Sequence, residues 1–324
     1  MKNGQFPAVL PLASLNGRNG FKIDGENNGD HCGVSVSSAG DINVDGYTDL
    51  LIGAEAHNNW VGRSYVVFGG PGIGSSGILN LADLNGSNGF KLDGEEVNDS
   101  NGWSVKGAGD VNGDGMADFL TVSQGYNSLT GRTYVVFGKA GIDESGLLSL
   151  SSLNGTNGVK LDGETTNDYS GNAVGAVDLN GDNYSDILIG APNYNGLTGR
   201  SYVVFGASLT SSGNGQLLLS TLNGTNGFKL DGEPGGGQSG WWVDGAGDIN
   251  NDGKMDLLVS AWLRNSFAGC SYVVFGASNF SAIVPLSGLN GTNGFKLNGE
   301  TAGDRSGGVI SSAGMSTRMG GTIC

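Results

Sequence analysis

Three kinds of apolar run recur in a fixed order along this chain. The first alternates, with Val34, Val36 and Ala39 spaced by Ser35, Ser37 and Ser38, which is the period of a half-buried strand. The second is Asp49-Leu50-Leu51-Ile52-Gly53-Ala54 and the third Arg63-Ser64-Tyr65-Val66-Val67-Phe68-Gly69. Both are apolar on two faces, as expected of strands covered by neighbouring sheets on either side. A fourth strand is written Phe90-Lys91-Leu92-Asp93-Gly94-Glu95, and again from Phe228 to Glu233, after an Asn-Gly turn such as Asn154-Gly155-Thr156-Asn157-Gly158. Segments like Leu147 to Leu153 lead into these turns, and no stretch of useful length has helical periodicity.

The order repeats. Leu-Asn-Gly begins at 15, 84, 153, 222 and 289, and Phe-Gly at 68, 137, 205 and 275, a period of 67 to 70 residues. That suits one four-stranded blade plus an insertion. The expectation is an all-β propeller of four-stranded antiparallel blades, four complete and a truncated fifth, in a single array over 1–324. Its units run about 15–83, 84–152, 153–221, 222–288 and, in part, 289–324.

Between the first and second runs lies an acidic nonapeptide, present four times. Side-chain oxygens stand at its positions 1, 3, 5 and 9: Asp41, Asn43, Asp45 and Asp49; Asp110, Asn112, Asp114 and Asp118; Asp178, Asn180, Asp182 and Asp186; Asp248, Asn250, Asp252 and Asp256. Position 7 adds a backbone carbonyl, from Tyr47, Met116, Tyr184 and Lys254. Three carboxylates, one amide oxygen and a carbonyl make the oxygen cage that Ca²⁺ prefers, whereas Mg²⁺ demands a stricter octahedron. Position 6 is Gly46, Gly115, Asn183 or Gly253, residues that tolerate the positive φ of a tight loop. One such stretch alone would read as a turn; four with the same ligand positions read as about four Ca²⁺ sites. They are not EF-hands, which end in a bidentate Glu at position 12. Here that position is Ile52, Thr121, Ile189 and Val259.

Charge and composition narrow the picture. Gly is 62 of 324 residues without a collagen period, so the glycines belong to turns. The net charge of −15 argues against nucleic acid or anionic membranes as partners, and four divalent ions would take it to −7. Cys32, Cys270 and Cys324 share no repeat position and imply neither a disulfide framework nor a zinc site. No stretch reaches 18 apolar residues, and neither a membrane span nor a signal peptide is read. His31 and His57 are the only histidines and suggest no catalytic arrangement, so no enzyme is expected.

Ala-Gly-Asp-Ile-Asn-x-Asp-Gly-x-x-Asp-Leu-Leu-Ile-Gly-Ala followed by Gly-Arg-Ser-Tyr-Val-Val-Phe-Gly resembles the FG-GAP repeat of integrin α-subunit propellers and of many bacterial surface or secreted proteins. The resemblance covers about residues 15–314. It implies that the acidic loop joins strands A and B, that strand C is the Tyr-Val-Val-Phe run, and that strand D is the Phe-Lys-Leu-Asp-Gly run. It also implies an extracellular or cell-surface location. The Gly-Ala-Pro of the family is complete only at Gly190-Ala191-Pro192. It reads Gly53-Ala54-Glu55, Ser123-Gln124-Gly125 and Ser260-Ala261-Trp262 elsewhere. The function implied is a calcium-stabilised, non-catalytic binding or adhesion module for a protein or polysaccharide on the loop face opposite the calcium loops. The alternatives are the propeller portion of a larger hydrolase or a fragment of a longer adhesin.

Other repeated positions are more mundane. Arg63, Arg132 and Arg200 open strand C, and Glu95, Glu164 and Glu233 end strand D, so an exposed cross-strand ion pair within each blade is expected. Trp60, Tyr126, Tyr194 and Trp262 lie in the B-to-C loops, where they could meet a ligand or cap the blades. Trp103, Trp241 and Trp242 fall in strand A and read as core. Sequons such as Asn154 and Asn223 are explained by turn chemistry.

The fifth unit proceeds through Ser311-Ser312-Ala313-Gly314, where a loop Asp should follow, and instead reads Met315. A reading of the gene one base earlier over Met315–Cys324 can spell Asp-Val-Asn-Ala-Asp-Gly-Trp-Tyr-Asp-Leu, which restores every ligand position. The expectation is a one-base deletion, with an out-of-frame tail and an open or frayed fifth blade.

Overall fold

The computed structural model describes residues 9–142, 145–210 and 213–311. The expected tail, Met315 to Cys324, lies outside the described residues. In chain order the strands are β1 (Lys22–Asp24), β2 (Val36–Gly40), β3 (Asp49–Ala54), β4 (Arg63–Val67), β5 (Ile78–Asn80), β6 (Gly89–Asp93) and β7 (Asn101–Gly109). There follow β8 (Asp118–Ser123), β9 (Arg132–Val136), β10 (Leu147–Ser149), β11 (Gly158–Asp162), β12 (Val174–Val177), β13 (Asp186–Ala191) and β14 (Arg200–Val204). The last are β15 (Gln216–Leu218), β16 (Gly227–Asp231), β17 (Val243–Gly247), β18 (Asp256–Ser260), β19 (Cys270–Val274), β20 (Ile283–Pro285) and β21 (Gly294–Asn298). Among the described residues, helix is limited to single turns.

Four antiparallel sheets result, and they are the blades of an all-β propeller fold. Blade I is β2-β3-β4-β6, blade II β7-β8-β9-β11, blade III β12-β13-β14-β16 and blade IV β17-β18-β19-β21. Each takes three strands from one repeat and its outermost from the next. The first three blades also carry a fifth strand, absent from the four-stranded expectation. It is the segment before the next Asn-Gly turn, which pairs parallel to the outer strand, as β10 does with β6. Three-residue strands such as Leu147–Ser149, with only the middle residue half-buried, carry too short a pattern to be read from sequence. β1 pairs in the same way with β5.

The two-faced apolar runs are where the sequence placed them. β3, β8 and β13 are buried along nearly their whole length, because blades pack face to face. Leu120 and Val122 of blade II share one core with Ile187 and Ile189 of blade III. Val203 and Leu188 of blade III share another with Leu257 and Val259 of blade IV. Tyr65, Tyr134, Tyr202 and Tyr272 are fully buried. First strands neighbour one another in turn, β2 against β7, β7 against β12 and β12 against β17. Gly190 shows how close that approach is, since a Cβ there would stand 2.0 Å from the Gly240 carbonyl oxygen. Gly53 meets Gly102 in the same way.

The ion pairs differ from the expectation. Arg132 opposes Asp162 across β9 and β11 and bonds it through Nε and Nη2 at 2.5 and 2.9 Å. Its Nη1 reaches Glu95 at 2.6 Å, and Lys160 binds the other Glu95 oxygen. Glu95 follows β6 of blade I, so the pair joins successive blades instead of strands of one blade. Arg200 with Glu164 repeats it, and Arg63 with Glu26 ties blade I to the β1–β5 pair in the same way. The Glu lies two residues beyond the Asp that faces the Arg, past Gly94, where the chain has already turned toward the next blade. The pairs are also largely buried, Arg132 being 7% exposed. In blade IV, Cys270 stands where the Arg would be, and Arg264 from the preceding loop binds Glu233 instead.

Candidate calcium loops and the opposite rim

Each acidic loop folds around its own side-chain oxygens. In the second, the Asp110 carboxylate accepts the N–H groups of Gly113, Asp114 and Gly115 at 2.6 to 3.1 Å. Asn112 accepts from Asp114 N–H at 2.9 Å, and Asp114 from Met116 N–H at 2.9 Å. Equivalent bonds recur in the other loops. Position 6 has positive φ throughout, 88° at Gly46, 83° at Gly115, 70° at Asn183 and 89° at Gly253.

Position 9 has a second role that the sequence reading missed. Asp118 is fully buried; one oxygen accepts Val111 N–H and the other Gly138 N–H, both at 2.8 Å. Asp49, Asp186 and Asp256 hold Gly69, Gly206 and Gly276 identically, in every case 20 residues on. This ties the acidic loop to the Phe-Gly that ends strand C and explains why the two motifs recur together. The constant 20-residue spacing was the signal available in the sequence. Burial pushes the Asp118 and Asp186 carboxyls up to about 7, against the pull of those N–H groups, and the other loop aspartates push the same way. Asp49 is raised to about 6 for the same reasons.

The donor set suits a hard divalent cation. It is all oxygen, and among the described residues no loop aspartate has an ion-pair partner, so no protein cation offsets the charge of these loops. No group of three or more His, Cys, Asp or Glu among the described residues is gathered into a metal-sized cluster. All four side-chain positions accept backbone N–H groups; the position-9 carboxylate is buried, and the groups at positions 1, 3 and 5 are more exposed.

Asn183→Gly is a graded test of the loop geometry. A non-Gly residue at positive φ costs roughly 1 kcal/mol, less for Asn, so this variant is expected to tighten cation binding at the third loop by calorimetry. Weakened binding would contradict it.

The B-to-C turns and the turns after the outer strands share the opposite rim: Gly125 N–H donates to the Asp99 carbonyl at 2.9 Å and Asn193 N–H to Asp168 at 3.3 Å. Every B-to-C turn contains consecutive residues at positive φ, such as Asn58, Asn59 and Trp60. Tyr126 and Tyr194 lie 3.8 and 3.9 Å under the guanidinium groups of Arg132 and Arg200, so these two brace the ion-pair network. Two shallow recesses of about 600 and 620 Å³ flank Tyr126. Trp60 is 44% exposed, edge-on to His31. The strand-A tryptophans are not core: Trp103 and Trp241 are half-buried and Trp242 is 37% exposed, because they sit at the rim end of their strands. Blade I also pairs His57 with the buried Asp30 at 2.8 Å and His31 with Glu55 at 2.9 Å. These are single occurrences in a repeat and left no periodic signal.

The FG-GAP repeat family matches residues 33–67 and 170–204, the first three strands of blades I and III with their acidic loops. The chain carries FG-GAP repeats. The chain is 28% identical to integrin alpha-V of Gallus gallus over 64% of its own length and 19% of the relative's. It is 26% identical to integrin alpha pat-2 of Caenorhabditis elegans over 85% of its length and 22% of the relative's. A phosphatidylinositol-glycan-specific phospholipase D of Bos taurus is 28% identical over 49% of the chain and 18% of the relative. The chain thus spans about a fifth of these relatives. No helix among its described residues is long and apolar enough to cross a membrane.

Proposed function

We propose that this FG-GAP chain is a calcium-braced, non-catalytic binding module acting outside the cell or at its surface. About four Ca²⁺ ions would be held by positions 1, 3, 5 and 9 of the acidic loops with the carbonyls of Tyr47, Met116, Tyr184 and Lys254. The ions supply only charge compensation and rigidity. The observation that carries the reading is the bond from each ninth aspartate to the Phe-Gly glycine, which couples the cation loop to strand C and hence to blade packing. With one rim braced, the B-to-C turns on the other present the variable surface, and a protein or polysaccharide is the ligand. The likeness to integrin alpha chains supports this reading over the hydrolase alternative, which the phospholipase D relative alone suggests. The test is retention on immobilised extracellular proteins and polysaccharides in calcium, beside hydrolysis of phosphodiester and glycosidic substrates. Calcium-dependent retention without turnover is expected; turnover would contradict the reading.

A further inference from the structure

One part of the rim departs from the repeat. In blade IV, Trp241, Trp262 and Phe267 form an aromatic cluster, with ring centroids 5.1 Å apart and planes inclined by 48° for Trp241–Trp262, and 6.3 Å and 65° for Trp262–Phe267. The equivalent positions hold Val34, Glu55 and Trp60 in blade I, Trp103, Gln124 and Leu129 in blade II, and Asn172, Pro192 and Leu197 in blade III. Three blades fold without this trio, so packing does not require it. Phe267 is 48% exposed, in the backbone conformation that Trp60, Leu129 and Leu197 share at the equivalent turn position.

The surface is also ordered and polar at its edge. Trp262 Nε1–H donates to Gln238 Oε1 at 3.0 Å, and Gln238 Nε2–H donates to Asn193 Oδ1 at 2.8 Å. Arg305 N–H holds the Phe267 carbonyl at 2.7 Å, and its guanidinium lies 5.5 Å from the Trp262 ring centre. Among the described residues that guanidinium has no carboxylate partner, unlike Arg63, Arg132, Arg200 and Arg264.

We propose that Trp241, Trp262 and Phe267, with Gln238 and Arg305, form a binding site for the pyranose rings of a uronate-containing polysaccharide. This rests on the binding-module reading and names the ligand class. The chemistry is specific. Axial C–H groups of a pyranose carry partial positive charge and lie against the negative faces of aromatic rings. Planar amides exchange hydrogen bonds with vicinal hydroxyls, and an unpaired guanidinium takes a carboxylate in a bidentate pair, a local contact that opposes the repulsion of polyanions by the net charge of −15. A shallow, half-exposed aromatic patch, whose rings are inclined by 48° and 65° and so offer separate faces to successive sugar rings, with polar atoms along one edge, matches a polysaccharide better than the deeper apolar socket that anchors a protein side chain.

The test is affinity electrophoresis of the whole chain in calcium, through gels containing hyaluronan, xanthan or neutral dextran. Strong retardation by the uronate polymers and weaker retardation by dextran are expected. Phe267→Ala, at an exposed site, should weaken binding about tenfold, the loss typical of an aromatic anchor. Trp262→Phe should weaken it less, and Arg305→Gln should remove the preference for uronates while sparing dextran. Unchanged mobility in both uronate gels, or equal retardation of Phe267→Ala and the parent chain, overturns the proposal. Calcium-dependent retention by an immobilised protein, together with unchanged mobility in both uronate gels, overturns the sugar site while keeping the binding-module reading.

Discussion

Thermal unfolding of this chain is expected to shift down by about 10 to 15 °C when excess calcium is replaced by a chelator. A ligand present at a hundred times its dissociation constant stabilises the native state by about 2.7 kcal/mol, so four such sites supply on the order of 10 kcal/mol. With an unfolding entropy of about 2.1 cal/mol/K per residue over this length, that becomes the stated shift. The structural cause lies in the loops. Asp110, Asp114 and Asp118 repel one another at the end of strands that blade packing needs, and burial already raises Asp118 to about 7. Differential scanning calorimetry in the two conditions measures it. Equal midpoints would show that the hydrogen bonds to Gly113, Asp114, Gly115 and Gly138 suffice without an ion.

Arg132→Ala is expected to destabilise by about 3 to 5 kcal/mol, the cost of leaving buried charges without their partner. The side chain is 7% exposed and holds Asp162 of its own blade and Glu95 from the preceding one. Lys160 still neutralises one Glu95 oxygen, so Asp162 carries most of the cost, with Gln216 Nε2–H as its remaining side-chain donor. Chemical denaturation at pH 7 would measure this, and Arg18→Ala, in the exposed N-terminal turn, should fall within about 0.5 kcal/mol of the parent. If both variants lost equally little, the inter-blade pairs would be ornaments of the surface. Blade IV supports the larger figure: with Cys270 at the Arg position, Arg264 supplies the same charge to Glu233 from another element.

How much was legible in the sequence follows from what repeats. Four copies allow the acidic loops, the positive φ at position 6 and the two-faced strands to be read against one another, and all are found where the pattern placed them. The partner of Arg132 was misassigned because strand register brings Asp162 opposite, not Glu164. Two residues of offset at a strand end are enough to hand a side chain to the next blade. The parallel fifth strands escaped because three residues cannot express a period. Trp241 and Trp242 were misread because alternation says which face a residue takes but not how near the strand's end lies to solvent. The pairing of His57 with Asp30 is unique to blade I, and a single occurrence gives a repeat nothing to reinforce.

The most direct test of the calcium-braced account is a calorimetric titration of calcium into chelator-stripped protein, beside the variant Asp110→Ala with Asp114→Ala. The account predicts about four ions per chain, one fewer in the double variant, and blades I, III and IV still titrating. No calcium heat under conditions where the stripped chain is folded, or a stoichiometry unchanged by the double variant, would contradict it.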